Sequence, residues 1–216
     1  GIDHFKEIND NFGQEYGDFV LRKTADCISG CISEAQKVYK LVADEFLILD
    51  VSSDEVKDAD KLYDKVRNEI DRFIESNEFK VMYTVSGGIV PFAALKGNQY
   101  SEALKLTDFA LNEAKKLGRN RCYIFNGETY RKFLRKREIT QELREAVING
   151  FQGFTAFYQP VFAEDKKVPY GAEALMRFTS EKFGMITGGV HSHSGRNRSD
   201  YSCWPLDDER GYGKMQ

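Results

Sequence analysis

Several features are scarce in this chain of 216 residues, and each scarcity closes a class of function. No apolar run approaches the roughly 20 residues that a membrane-spanning helix needs. No charged start leads into an apolar stretch, so neither a membrane segment nor a signal peptide is expected, and the expected location is cytoplasmic. Lys and Arg number 31 against 34 Asp and Glu, a net charge of −3. That balance leaves no cationic excess for a polyanion, and no nucleic acid polymer is expected as a partner. Cysteine is limited to Cys27, Cys31, Cys122 and Cys203, with no CxxC pair. The Cys27/Cys31 spacing fits one buried helix face better than a metal site, so free thiols are expected. Only three His are present, and His191 and His193 with Cys203 lack the second spaced pair that a zinc site uses. Met is missing from the first position, and the chain opens inside what reads as a motif. A natural beginning ahead of Gly1 is therefore expected, and any membrane tether of the parent protein would lie there.

What is present suits a globular protein: 41% apolar and 30% charged residues, at a length that fits one large or two small domains. From Tyr16 the positions Val20, Thr24, Ile28 and Cys31 recur every three or four residues and predict an amphipathic helix ending near 31–33. Residues 38–41 and 46–49 read as two short strands of a hairpin, with Val42, Ala43, Asp44 and Glu45 as the connection. Ser53 can cap a long helix with the stripe Leu62, Val66, Ile70, Phe73 and Ile74. Residues 79–90 are rich in Val, Tyr and Thr and read as a strand, in which Gly87 and Gly88 mark a bend or bulge. A helix over 101–117 stops at Gly118, and 121–125 gives another strand. Residues 128–149 read as a long connecting helix, and 154–162 and 169–178 as strands around the polar turn "AEDKK".

Two adjacent carboxylates on a hairpin tip, Asp44 and Glu45, suit a divalent cation with a phosphate against the backbone; a solvated turn would also carry them. The stretches "GIDHFKEINDNFGQEYGD", "ADEF", "TVSGGI" and "ALNEAKKLGRNR" decide the matter: in order and spacing they resemble the GGDEF family of diguanylate cyclases. The resemblance implies an α/β chain whose first domain, 1–127, is a GGDEF-type α+β domain lacking its N-terminal strand. It would have a central, mostly antiparallel sheet flanked by helices, like a cyclase palm. Members of that family condense two GTP into cyclic di-GMP across two Mg2+ ions, with a pair of domains closing on the reaction. Metal-bridging acids there neutralise developing charge and help to deprotonate the attacking hydroxyl. Carried over by motif, Asn9 and Asp18 resemble the guanine-reading pair, and Lys6, Lys115 and Arg119 the phosphate-holding cations. Asp44 resembles the acid that ligates metal and supports catalysis, with Glu45 beside it as a catalytic match. GTP or cyclic di-GMP, Mg2+ and a second copy in a homodimer are the implied partners.

The departures point to a degenerate domain. Val42 and Ala43 stand where the signature turn carries two glycines, so side chains fill space in which a nucleotide would approach the backbone. Gly1 stands at the first Asp of the "DxDxFK" motif, a metal ligand, and Asp3 at the second. An "RxxD" product site is missing at Ser33 to Gln36. Mg2+ relies on few carboxylates, so the loss of one should be severe for turnover. A GTP-binding regulatory module without cyclase activity is expected, with residual diguanylate cyclase and a nonfunctional gene fragment as the alternatives.

"FYQPVF" and "GAEALMRF" resemble the start of an EAL domain, a barrel phosphodiesterase of cyclic di-GMP. The resemblance implies that Gln159 contacts the ligand, Glu173 ligates metal and Arg177 holds a phosphate. It covers about 151–184, after a connecting helix over 128–150, and two strands cannot close a barrel. This chain should therefore not hydrolyse cyclic di-GMP. Residues 185–216 lose periodicity. A disordered tail would explain that, but permitted codons from Ile186 onward, shifted by one base, can spell the sequence an EAL domain resembles next. A frameshift near 185–187 that truncates a longer protein is the expectation.

Overall fold

Two helices open the chain in the computed structural model, which describes residues 1–52, 55–76, 81–97, 100–162 and 167–186. Helix α1 (Phe5–Phe12) buries only Ile8. Helix α2 (Gln14–Cys31) buries Val20, Thr24, Cys27, Ile28 and Cys31, the stripe read from the sequence. Cys27, Cys31 and Cys122 are free thiols. Gly13, at φ 84, breaks the path between the two helices, a conformation that costs glycine little. The spacing of apolar residues did not predict α1, because seven of its eight side chains face outward or only half inward.

Strands β1 (Gln36–Lys40) and β2 (Phe46–Asp50) form the expected antiparallel hairpin, in register from Gln36 opposite Asp50 to Lys40 opposite Phe46. Helix α3 (Val56–Ser76) turns Val66, Ile70 and Ile74 into the core, with Leu62 and Phe73 packed against it. Ser53, its predicted cap, lies outside the described residues.

The long strand read over 79–90 is shorter than expected. Only β3 (Gly87–Ile89) joins a ladder, parallel to β4 (Cys122–Ile124). Val85 makes a single antiparallel bridge to Ile2, and the Asp3 amide donates to the Thr84 carbonyl at 2.8 Å. Residues 79 and 80 lie outside the described residues. The composition of this segment is that of a strand, but among the described residues before Gly87 only Val85 pairs, with Ile2. Gly87 and Gly88 are not a bulge: they pair in regular register with Cys122 and Tyr123. They are glycines because helix α4 (Tyr100–Lys116) and Tyr63 press on them. A Cβ on Gly88 would lie 2.5 Å from the Leu111 nitrogen, and one on Gly87 would lie 2.9 Å from the Tyr63 ring. Helix α4 buries Leu106, Phe109, Ala110 and Ala114 and ends at Gly118, whose φ of 116 is the expected left-handed stop. The Phe109 ring meets Tyr123, Phe125 and Tyr130 edge-on. One cluster, built from Ile2, Ile8, Val20, Ile28, Ile70 and Val85 among others, joins α1, α2, the hairpin and α3.

The chain divides into two compact units, Gly1–Tyr130 and Arg131–Gln216. Helix α5 (Gly127–Ile148) crosses the boundary between them. In the second unit, β5 (Phe154–Phe162), β6 (Pro169–Ser180) and β7 (Gly184–Ile186) form an antiparallel sheet in that order. The rings of Phe154 and Phe178 stack 5.0 Å apart across β5 and β6. Lys182 pairs with Glu138 of α5 at 2.5 Å, and the Arg135 guanidinium lies over the Phe183 ring. Strand β7 was not expected, and its pairing reaches Ile186, two residues past the predicted edge of the fragment. Most of the "AEDKK" turn and all of 187–216, including His191, His193 and Cys203, lie outside the described residues. Among the described residues no helix is long and apolar enough to cross a membrane.

Candidate functional site

The hairpin turn is closed by its own backbone. The Leu41 amide donates to the Glu45 carbonyl at 2.9 Å, and the Glu45 amide to the Val42 carbonyl at 3.1 Å. Ala43 sits at φ 52, in the region that favours glycine, so the backbone path of a glycine turn persists although its residues have changed. Val42 is 81% exposed and projects from the tip. Lys40, the last residue of β1, folds over this turn. Its ammonium donates to the carbonyls of Leu41, at 3.2 Å, and Ala43, and rests 5.2 Å from the Phe46 ring centroid. Sequence reasoning missed Lys40, because a lysine ending an edge strand looks like any solvated charge; its position one residue before the turn was the available signal.

Asp44 points toward residue 1. A Cβ built on Gly1 would lie 3.5 Å from Asp44 Oδ2 and 3.3 Å from Lys115 Nζ. Glu45 and Asp3 lie within electrostatic reach of the same residue. Gly1 is held there by a reciprocal pair of hydrogen bonds with Ser86, both 2.9 Å. Four predicted or aligned positions, 1, 44, 45 and 115, are thus brought together from the chain start, the hairpin and the end of α4. Asp3 has a different occupation. It is 2% exposed and accepts from Thr84 Oγ1 at 2.7 Å, Ser86 Oγ at 2.7 Å and the Asn120 amide at 3.1 Å. Both of its oxygens accept hydrogen bonds, as a buried carboxylate requires, so it ties residues 84–86 to the segment after α4.

Asn9 packs against Gly17 across the α1–α2 contact. Asn9 Oδ1 occupies the spot only 1.8 Å from where a Cβ on Gly17 would stand, which places the amide against the helix turn that carries the exposed Asp18. Gly17 is therefore a positioning residue, and any side chain there would evict the Asn9 amide. Lys6 is exposed on α1. Arg119 follows α4 at φ 62, its amide bonded to the Ala114 carbonyl at 3.2 Å, with its side chain in solvent. Where a product site would carry Arg and Asp, Gln36 instead accepts from the Ser33 amide at 2.9 Å and donates to Asp50 at 2.6 Å, which locks the corner before β1.

In the second unit Gln159 and Glu173 are direct cross-strand partners, and Arg177, four residues along β6, shares their face. Arg177 donates to the Met176 carbonyl at 3.1 Å.

The family model described as "Diguanylate cyclase, GGDEF domain" matches residues 1–121, and the chain belongs to that family. It is 27% identical over 186 residues to the cyclic di-GMP phosphodiesterase NbdA of Pseudomonas aeruginosa, covering 86% of this chain and 23% of that protein. It is 27% identical over 188 residues to the bifunctional diguanylate cyclase/cyclic di-GMP phosphodiesterase MucR of the same organism, covering 87% and 27%. The chain thus spans about a quarter of the length of these relatives. Among solved structures, the isolated GGDEF domain of TpbB (YfiN) from Pseudomonas aeruginosa superposes with a TM-score of 0.54 at 25% identity, over 62% of this chain and 77% of that one. The active GGEEF domain of a diguanylate cyclase from Vibrio cholerae does so with a TM-score of 0.50 at 31% identity, over 58% and 78%. The first unit is a GGDEF α+β domain, of the kind found in cyclic di-GMP signalling proteins.

Diguanylate cyclases of this family typically use Mg2+. The residues here fit it poorly: position 1 has no carboxylate, Asp3 is buried and accepts hydrogen bonds on both oxygens, and the Lys115 ammonium faces the same residue 1 position as Asp44. Among the described residues no group of three or more His, Cys, Asp or Glu could hold a metal ion.

Proposed function

We propose that this chain carries a GTP-binding regulatory GGDEF domain without cyclase turnover, over 1–127. A connecting helix over 128–150 joins it to the beginning of an EAL phosphodiesterase domain over 151–184. The observation that carries the reading is the glycine at position 1, which puts no carboxylate where its Cβ position lies 3.5 Å from Asp44 Oδ2 and 3.3 Å from the Lys115 ammonium. Condensing two GTP demands metal charge at the phosphates, whereas holding one GTP demands only a base-reading pair and cations. The Asn9–Gly17 contact beside Asp18 supports the first need, and Lys115 with Arg119 and Lys6 the second. Glu45 is retained beside Asp44 but has no metal to act through, and what hold the site keeps on Mg2+ is weakened. In the second unit the shared face of Gln159, Glu173 and Arg177 supports an EAL-type ligand edge for cyclic di-GMP, which one carboxylate and three strands leave inactive on their own. The working form is a cytoplasmic homodimer.

The test is paired. The full chain incubated with GTP and Mg2+ should yield no cyclic di-GMP, while calorimetry should show GTP binding that Asn9→Ala with Asp18→Ala abolishes. Cyclic di-GMP formed by the wild-type chain would instead establish residual cyclase, the reading favoured by the retained Asp44 and Glu45.

A further inference from the structure

We infer that this site takes its guanine nucleotide without a divalent ion, with Lys115 and Lys40 supplying the positive charge at the phosphates. The inference rests on the reading that the chain binds GTP, and it deepens that reading by naming the ionic form of the ligand.

Positive charge already accompanies the acids of the turn. Asp44 and Glu45 bring two negative charges to the tip, and Lys40 and Lys115 bring two positive ones. An ion bridging residue 1 and Asp44 would have to sit next to the Lys115 ammonium, which lies 3.3 Å from the residue 1 Cβ position, and like charges at that range repel. The ion would gain little in exchange, because residue 1 offers no oxygen from a side chain and Asp3 is buried, holding Thr84, Ser86 and Asn120. Mg2+ gives up its waters reluctantly, so a site without a carboxylate at residue 1 and with a neighbouring ammonium is a poor exchange for hydration.

Lys40 contributes what a metal would contribute at the turn, a fixed positive charge. Two of its three N–H donors go to the Leu41 and Ala43 carbonyls, which leaves one for a phosphate oxygen. The carbonyl oxygens that could otherwise attract a cation are thereby occupied from within the chain. Ammonium groups hold a phosphate by charge-assisted hydrogen bonds but cannot align two nucleotides for in-line attack as bridging metals do, so this arrangement suits retention without condensation.

The experiment is a calorimetric titration of GTP into the full chain, once with excess Mg2+ and once with EDTA, repeated on Lys115→Ala, Lys40→Met and Gly1→Asp. Wild-type affinities that agree within about twofold in the two buffers, with a loss of about tenfold in EDTA for each lysine variant, would support the inference. Gly1→Asp should bind more tightly with Mg2+ than with EDTA. GTP binding by the wild-type chain only when Mg2+ is present would overturn the inference and leave the GTP-binding reading standing. No binding in either buffer would overturn both. Because the decisive comparison is made on the wild-type chain, a lysine variant that folds poorly does not blur it.

Discussion

At Gly87 and Gly88 the chain keeps two glycines, whereas at Val42 and Ala43 it carries side chains where the GGDEF signature has two. The surroundings explain the difference. Beneath Gly88 runs the backbone of α4, with the Leu111 nitrogen 2.5 Å and the Ala110 carbonyl carbon 2.9 Å from any added Cβ. Backbone cannot rotate away as a side chain can, so a methyl group there would push strand and helix apart. Around the hairpin tip the space is open, and Val42 stands in solvent. The glycine demand at the tip is conformational only, through the positive φ of Ala43, and a few carbonyl contacts from Lys40 hold that conformation. Glycines that let helices and strands approach are needed by the fold; glycines that let a nucleotide approach are needed only by the reaction. A chain without the second kind can still fold, as this one does with Val42 and Ala43 at the tip.

Gly88→Ala should therefore do the most damage. Overpacking against a backbone falls at the upper end of such costs, roughly 3 kcal/mol, and urea denaturation should show a midpoint shifted down with the slope unchanged. A loss below about 0.5 kcal/mol, typical of a surface site, would break the contrast, because it would mean that α4 can back off freely.

The same contrast explains which parts of the molecule were legible in sequence. The α2 stripe and the α3 stripe were, because burial against one core repeats every three or four residues. So was the hairpin, whose apolar strands flank an acidic turn. Helix α1 was not, since a helix that buries a single Ile8 carries almost no periodic signal. Gly87 and Gly88 were misread as a bulge because their reason is close approach by Tyr63, Ala110 and Leu111, each more than twenty residues away along the chain, which no local pattern records. Strand composition likewise overstated 79–90, where among the described residues only Val85 and 87–89 pair. At the site, Asp44 beside residue 1 followed from motif spacing, but the commitment of Asp3 to Thr84 and Ser86 and the folding of Lys40 over its own turn depend on side-chain geometry alone.

A smaller effect should appear at high pH, again on the packed side. Cys122, whose sulfur lies 3.1 Å from a Cβ built on Gly87, has its thiol pushed up from the usual 9.0 to about 12, mainly by burial and then by Asp60. Burial, and then Glu69, raises Cys27 to about 11. Burial also lifts Tyr83 to about 12, against the opposing hydrogen bond from Thr24. The folded chain thus keeps protons that the unfolded chain releases. The sign follows: this stability is fully present below about pH 9 and is lost as pH rises from 9 toward 12. Urea midpoints should fall across that window, and Cys122→Ala should flatten the fall. A midpoint that stays level to pH 11 would show that these groups are open to water in the folded state.

The least effect, and the most telling, is expected from Ala43→Gly. A non-glycine residue in the left-handed region costs about 1 kcal/mol, and glycine relieves most of it while giving up some order in the unfolded chain. No packing is at stake, since Ala43 is exposed and the Lys40 contact is to its carbonyl, which glycine retains. The substitution should therefore stabilise the chain by about 0.5 kcal/mol, read as a small rise in the urea midpoint. It also restores half of the signature turn, so the same protein tests the division drawn between fold and reaction: stability should rise slightly while cyclic di-GMP production from GTP stays at zero, because position 1 still lacks its carboxylate. A drop in stability would show that the Ala43 methyl packs against something the hairpin needs. Product formation would show that the turn, and not the missing carboxylate, silences the site.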